Sequence, residues 1–218
     1  VVYNMRNGHL IAMEGPVTRI VREQSCLLMD AAANNPQWRL PNVFALSLPW
    51  DDDSESLVGK LEAGVFGSPP DIYEATMVYL MDIWHSFRVD WGEDYNAGGL
   101  AIIENYVPHS FLQQGSRFPK ELRRDYNRWL IDTAYMKLHL PAPDTVLYLD
   151  VPVELRAQAG GASISDDMLQ QEEAVRTAEL EIASSLGWLV VDCSNNGQMR
   201  AKASIQNEIY AYTGLLFK

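Results

Sequence analysis

Five short apolar runs, each bounded by turn residues, constrain the fold of this chain more than any other feature. They are LIAME (10–14), VFALSL (43–48), LAIIEN (100–105), TVLYLDV (145–151) and WLVVDC (188–193). Continuous runs rich in Val, Ile and Leu are typical of strands in a parallel sheet whose two faces are both covered. Helical patterning separates the runs, and we place helices at 19–33, 54–64, 71–87, 119–139, 166–186 and 197–213.

Alternating strands and helices predict an α/β fold, a three-layer α/β/α sandwich around a five-stranded parallel sheet with right-handed crossovers. A chain of 218 residues fits one domain, which we assign to residues 1–218. Ligands of such sheets bind beyond the carboxyl ends of the strands. The most loop-like stretch, QAGGASISDD (158–167), lies where a mobile lid would be inserted.

The chain is acidic, with 29 Asp and Glu residues against 17 Lys and Arg residues and a formal net charge of −12. This charge repels phosphate backbones, so nucleic acid is not an expected partner. No run approaches the roughly 18 to 20 apolar residues of a membrane span, so no direct span is expected. Four histidines and two cysteines show no metal-ligand spacing, and we predict no metal site.

Several segments together resemble thymidylate kinase, more closely the eukaryotic type than the bacterial type. They are DIYEATMVYLMDIWHSF, IIENYVPHSFLQQG, LPAPDTVLYLDVPVEL and WLVVDC, and the similarity extends over nearly the whole chain. The resemblance implies a P-loop NTPase fold and, in a working member, phosphate transfer from ATP to deoxythymidine monophosphate (dTMP). It also implies that residues 158–167 are a vestigial lid loop.

The phosphate-binding loop of such a kinase needs glycines, a lysine and a hydroxyl that holds magnesium. Gly15 opens the loop normally, but the second glycine position holds Ile20 and the lysine position holds Val21. Arg22 and Glu23 occupy the hydroxyl positions. Ile20 resists a positive φ, Val21 carries no charge, and Glu23 would repel phosphate at the helix N-terminus. These five residues form a vestigial nucleotide-binding site.

The acceptor site implied by the resemblance is similarly altered. Its positions are Pro49, Asp51, Asp82, Trp84, Glu104 and Tyr106. The family's arginines are absent, since Asp51, Ile83 and Asn105 stand in their places. Charged hydrogen bonds of this kind contribute about 1.5 to 3 kcal/mol each. With the loop lysine also absent, we predict that nucleotide kinase activity is lost and that no residue is catalytic.

Each of these residues also has a purely structural interpretation. Gly15 fits a strand-to-helix turn. Asp51 fits an acidic loop or a helix cap, and Glu104 fits a turn partner. Trp84 and Tyr106 fit core positions.

One helix face is basic within this acidic chain. It carries Lys120, Arg123, Arg124 and Arg128. The face is either solvated or a docking patch for another protein.

The leading hypothesis is a catalytically inactive pseudoenzyme without a cofactor, kept as a structural or accessory subunit of a larger assembly. Its partners would be other protein subunits, in a heteromeric complex or a homodimer. The chain begins with Val, which fits a removed import leader and a mitochondrial respiratory assembly, with the cytoplasm as the alternative. Two rivals stay open: an active deoxynucleoside monophosphate kinase that uses Arg19, Arg22 and Arg156, and a nucleoside sensor that uses Trp84 and Tyr106.

Overall fold

The computed structural model describes residues 8–49, 57–65, 70–160 and 165–217. The strands of its main sheet are β1 (His9–Glu14), β2 (Val43–Ser47), β3 (Leu100–Glu104), β4 (Thr145–Asp150) and β5 (Leu189–Asp192). The helices are α1 (Thr18–Ala33), α2 (Leu57–Glu62), α3 (Ile72–Ser86), α4 (Gly92–Asn96), α5 (Val107–Gln113), α6 (Lys120–Ile131), α7 (Val153–Gly160), α8 (Asp166–Ser185) and α9 (Lys202–Thr213). None of the helices in the described ranges has the length and apolar character to cross a membrane.

The five strands form one parallel sheet in the order β2-β3-β1-β4-β5. The apolar runs therefore predicted every strand of this sheet, and the five-stranded parallel architecture is confirmed. β1 lies at the centre, with Ile11 opposite both Ile102 and Thr145. The central strands are buried because helices cover both faces of the sheet.

Successive residues of the central strands enter two different cores. Leu10 and Ala12 face a core that is shared with α3, α5, α6 and α8. Ile11 and Met13 face the core of α1 and α9 on the other side. Because successive side chains of a strand point to opposite faces, alternate residues of an apolar run pack in one core and the remaining residues pack in the other.

The predicted helix 197–213 begins five residues late, at Lys202. A short antiparallel hairpin precedes it, formed by β6 (Ser194–Asn195) and β7 (Gln198–Met199). Its turn residues Asn196 and Gly197 have φ values of 51° and 73°. Asn-Gly is the dipeptide that best tolerates two consecutive positive φ angles, so a hairpin replaces the first helical turns.

Both ends of the predicted lid loop, residues 158–167, are helical in the structure. α7 continues to Gly160, and α8 begins at Asp166 because the Ser165 side chain caps it by accepting from the backbone N–H of Met168. Residues 161–164 lie outside the described residues. The helix predicted at 166–186 thus begins at the predicted residue.

Two predicted helices contain π-helical segments. α3 continues into a π-helix at Phe87–Trp91, and α6 continues into a second one at Asp132–Lys137. Neither α5 nor α7 was predicted, and they begin within two residues of Pro108 and Pro152. Both follow a strand directly, where a proline is compatible with the first helical turn.

Candidate functional site

The carboxyl edge of the sheet has a crevice between β1 and β3. The connection after β1 is α1, which covers one face, whereas the connection after β3 runs through α5 and α6 on the other face. Neighbouring strands whose connections diverge in this way form the usual ligand crevice of an open α/β sheet. Glu14 and Glu104 end these two strands, and both side chains are buried.

The loop between β1 and α1 is short, because the helix begins at Thr18. The backbone N–H groups of Ile20 and Val21 both donate to the carbonyl of Val17, at 2.9 and 3.2 Å. The Ile20 and Val21 side chains are buried in the core formed with α9. These two positions, which the sequence analysis assigned to the phosphate cradle, are thus occupied by helical backbone and core side chains.

Gly15 lies where this loop passes β4. A Cβ atom on Gly15 would lie 2.9 Å from the carbonyl oxygen of Leu149 and 3.0 Å from Cγ2 of Val21. Close approach of the loop to the sheet therefore requires glycine here. This packing supports the interpretation of Gly15 as a strand-to-helix turn residue.

The two charged residues of the loop motif contact other parts of the protein. Nε of Arg22 lies 3.6 Å from Oε2 of Glu104. Glu23 pairs with Lys202 at the start of α9. Glu23 thus joins the two helices on one face of the sheet, and Arg22 is directed toward the crevice.

A cluster of hydrogen-bonded side chains fills the crevice. Oγ of Ser25 lies 2.5 Å from Oε1 of Glu104. Oε1 of Glu14 accepts from the backbone N–H of Tyr106 at 3.0 Å, and its Oε2 lies 3.4 Å from Nδ1 of His109. Burial raises the pKa of Glu14, and the contact with His109 opposes this effect.

Sequence reasoning missed Glu14, Ser25 and His109 as members of this site. The available signal was Glu14, a carboxylate that closes an otherwise apolar run at the edge where ligands bind. Within the described ranges, no group of three or more His, Cys, Asp or Glu side chains is arranged to hold a metal ion.

The acceptor-site positions are only partly assembled. Asp51 lies outside the described residues. Pro49 is half-buried and follows a cis peptide bond. Asp82 and Trp84 are half-buried on α3, with Trp84 packed against the core. Tyr106 is fully buried, and its hydroxyl donates to the carbonyl of Pro141 at 2.9 Å, so its interpretation as a core residue is confirmed.

Comparison with solved structures identifies the architecture. Thymidylate kinase from Ehrlichia chaffeensis superposes with a TM-score of 0.61 at 16% identity, covering 94% of this chain and 98% of that chain. Thymidylate kinase from Candida albicans gives a TM-score of 0.61 at 18% identity, covering 95% of this chain and 92% of that chain. This chain has a thymidylate-kinase-like fold. No protein-family model and no curated protein matches the sequence.

In this thymidylate-kinase-like fold, two arginines on α7 and α8 pair with acidic side chains. Arg176 donates two hydrogen bonds to Asp150, at 2.9 and 2.7 Å. Arg156 donates to the carbonyl of Val151 at 2.7 Å and lies 3.5 Å from Oε2 of Glu179. Both guanidinium groups therefore fix α7 and α8 to the end of β4.

The basic face of α6 is partly neutralised. Nζ of Lys120 lies 2.6 Å from Glu181, and Nη1 of Arg123 lies 2.9 Å from the same carboxylate on α8. Arg128 lies 3.9 Å from Asp125 in an exposed pair. Lys120 and Arg123 thus join α6 to α8, whereas Arg124 and Arg128 are exposed cations of the proposed docking patch on the same helix.

Proposed function

We propose that this chain is a catalytically inactive thymidylate-kinase-like protein that serves as a structural or accessory subunit of a larger assembly. The observation that carries the proposal is the start of α1. The positions for the second glycine and the lysine hold Ile20 and Val21, which are 7% and 2% exposed. A phosphate cradle at this point would need both side chains to leave the core.

The pairing of nearby cations supports the same proposal. Arg22 lies beside Glu104, Arg156 beside Glu179 and Arg176 on Asp150. A nucleotide that recruited these arginines would have to displace carboxylates, leaving buried charges without partners. The buried Glu14 side chain also occupies the crevice, where it accepts a hydrogen bond from the backbone of Tyr106.

Isothermal titration with ATP and magnesium tests the loss of nucleotide binding. We expect no binding tighter than about 100 μM, which corresponds to about −5.5 kcal/mol. The Candida albicans enzyme in the same buffer is the positive control. Tighter binding by this chain would contradict the pseudoenzyme proposal.

An active deoxynucleoside monophosphate kinase with relocated cations is the second candidate. Arg22 favours it, because this side chain is 60% exposed at the crevice and lies beyond hydrogen-bond distance from Glu104. A coupled assay with dTMP, ATP and magnesium tests it. Turnover that Arg22→Gln abolishes, and that the exposed control Arg128→Gln retains, would establish this candidate and refute the first.

A nucleoside sensor based on Trp84 and Tyr106 has weaker support, because the ring of Tyr106 has no exposed face on which a base could stack. Trp84 alone would have to supply the contact. Thermal-shift measurements with thymidine test this role, since a ligand of the native state raises the midpoint. A rise that Trp84→Leu removes would support the sensor.

Membership of an assembly is tested by purifying the endogenous protein with its partners. We propose a mitochondrial respiratory assembly, with the cytoplasm as the alternative compartment, and fractionation distinguishes them. Charge reversal at Arg124 and Arg128 should reduce partner recovery, whereas Asp132→Asn should leave it unchanged. An endogenous species with the mass of a single chain of this protein would contradict the subunit role.

A further inference from the structure

A concave site lies beside the residues that begin β4 and β5, at the opposite edge of the sheet from the crevice. Its volume is about 280 Å³, at the lower end of ligand pockets. Its walls come from α5, the end of α6 and the chain segments that enter the two strands. The lining residues are Pro108, Phe111, Ile131, Tyr135, Ala142, Pro143, Asp144, Thr145, Val146, Leu186, Gly187, Trp188 and Leu189.

Three aromatic side chains line this pocket. Phe111 and Trp188 meet edge to face, with ring centroids 6.1 Å apart and an interplanar angle of 84°. Trp188 and Tyr135 are half-buried, so part of each side chain faces the open volume. The faces of such rings carry negative electrostatic potential and attract cations.

One carboxylate, that of Asp144, lies in the same wall. Its Oδ2 accepts from the backbone N–H of Leu10 at 2.8 Å, and its own N–H donates to the carbonyl of Leu10 at 2.8 Å. Nδ1 of His9 lies 3.8 Å from the same Oδ2. The Asp144 side chain is thus fixed to β1 while 34% exposed. No Lys or Arg is among the residues that line the pocket.

We propose that this pocket binds a small organic cation of the methylated-ammonium class. The aromatic side chains supply cation–π contacts, the apolar wall accepts the methyl groups, and Asp144 supplies the opposite charge. The net charge of −12 favours accumulation of cations at the surface. A pocket of this size accommodates a compact ligand rather than a drug-sized one. The proposal is independent of the proposed function, which concerns the other edge of the sheet.

NMR titration with choline, a trimethylammonium probe, tests the proposal. The indole N–H resonance of Trp188, assigned by its loss in Trp188→Phe, should shift and saturate. The neutral isostere 3,3-dimethyl-1-butanol, which matches choline in shape, should bind at least about fivefold more weakly, because it lacks the cation–π and carboxylate interactions. Equal responses to the two probes would overturn the proposal.

Two variants with controls locate the interaction. Asp144→Asn retains an oxygen that can accept from Leu10 and removes the charge, so it should weaken choline binding at least about fivefold. Asp125→Asn makes the same charge change on the exposed face of α6 and should leave binding unchanged. Trp188→Leu should abolish saturable binding measured on the choline methyl signal, whereas Trp188→Phe should retain part of it.

Further outcomes decide against the proposal. Unchanged binding in Asp144→Asn, or absence of a saturable shift in the wild-type protein, would overturn it. A peptide containing trimethyllysine that binds more tightly than choline would overturn the assignment to a small molecule. Native two-dimensional spectra of both variants exclude misfolding as the cause of a loss.

Discussion

The guanidinium of Arg176 lies against the carboxylate of Asp150, with Nε and Nη2 each donating to one oxygen, at 2.9 and 2.7 Å. Asp150 ends β4, and Arg176 lies near the middle of α8. This hydrogen-bonded pairing raises the pKa of Arg176 above its ordinary value. The pair therefore fixes α8 to the carboxyl edge of the sheet.

Replacement of Arg176 should destabilise the protein. Arg176→Met retains the aliphatic stem but leaves the buried Asp150 carboxylate without its cation. We expect the free energy of unfolding to fall by about 2–3 kcal/mol, less than for a wholly buried pair because Arg176 is 23% exposed. Urea denaturation measures this. Arg128→Met, which breaks an exposed pair, should lower the free energy of unfolding by less than about 1 kcal/mol. An equal loss in Arg176→Met and Arg128→Met would contradict the role of burial.

A methyl group at Gly15 should also destabilise the protein. In Gly15→Ala the new Cβ would approach the carbonyl of Leu149 to 2.9 Å, so the β1–α1 loop would have to move away from β4. We expect a loss of about 1–3 kcal/mol by thermal unfolding, within the range of overpacking. Gly214→Ala is the control, because its nearest contact would be 3.9 Å away and its change should be below about 0.5 kcal/mol.

Restoring the lysine of the phosphate-binding loop should not restore nucleotide binding. Val21→Lys inserts a charge at a position that is 2% exposed in the core under α1. We expect a loss of about 2–4 kcal/mol in unfolding free energy, because a charged side chain would replace one that packs in an apolar core. Leu27→Lys, at an exposed position of the same helix, should change stability by less than about 1 kcal/mol. A stable Val21→Lys that binds ATP would show that the cradle is still accessible.

The free energy of unfolding should depend on pH through the buried carboxyl group of Glu14. Burial raises the pKa of Glu14 in the folded state above its ordinary value of 4.5. The contribution of Glu14 to stability is therefore complete below pH 4.5 and is lost as the pH rises through the folded pKa. Glu14→Gln should therefore gain stability relative to the wild type as the pH rises above about 4.5. Chemical denaturation at a series of pH values measures this difference.

A second variant tests the assignment to Glu14. The proximity of His109 lowers the pKa of Glu14, so His109→Gln should raise that pKa further and extend the loss of stability to higher pH. A pH profile of Glu14→Gln parallel to that of the wild type would show that another group controls this range.

The strands of the main sheet could be predicted because their apolar runs are bounded by turns, and because the central strands are covered on both faces and therefore apolar throughout. The hairpin at 194–199 was missed, although Asn196-Gly197 is a strong turn signal, because its strands are only two residues long and carry no apolar pattern. α5 and α7 were missed because short helices beside a strand carry too few turns to show helical periodicity.

The sequence predicted where the candidate site lies, but not which of its side chains contact one another. The sequence indicated that chemistry belongs at the strand ends and that Ile20 and Val21 are unsuited to a phosphate cradle. It did not indicate that Arg22 lies beside Glu104, or that Arg176 bonds Asp150 across 26 positions in the chain. Such pairs depend on which strands are neighbours in the sheet, and local pattern does not specify this.

The sequence alone thus determined the layers of the fold and the residue types at the ligand edge, because periodicity and side-chain chemistry are local properties. The tertiary structure decided which charges neutralise one another and which side chains are buried. The order β2-β3-β1-β4-β5 brings Glu14 and Glu104 side by side although 90 positions separate them in the chain. Burial and Coulomb interactions act through space, so their partners are fixed only when the sheet has assembled.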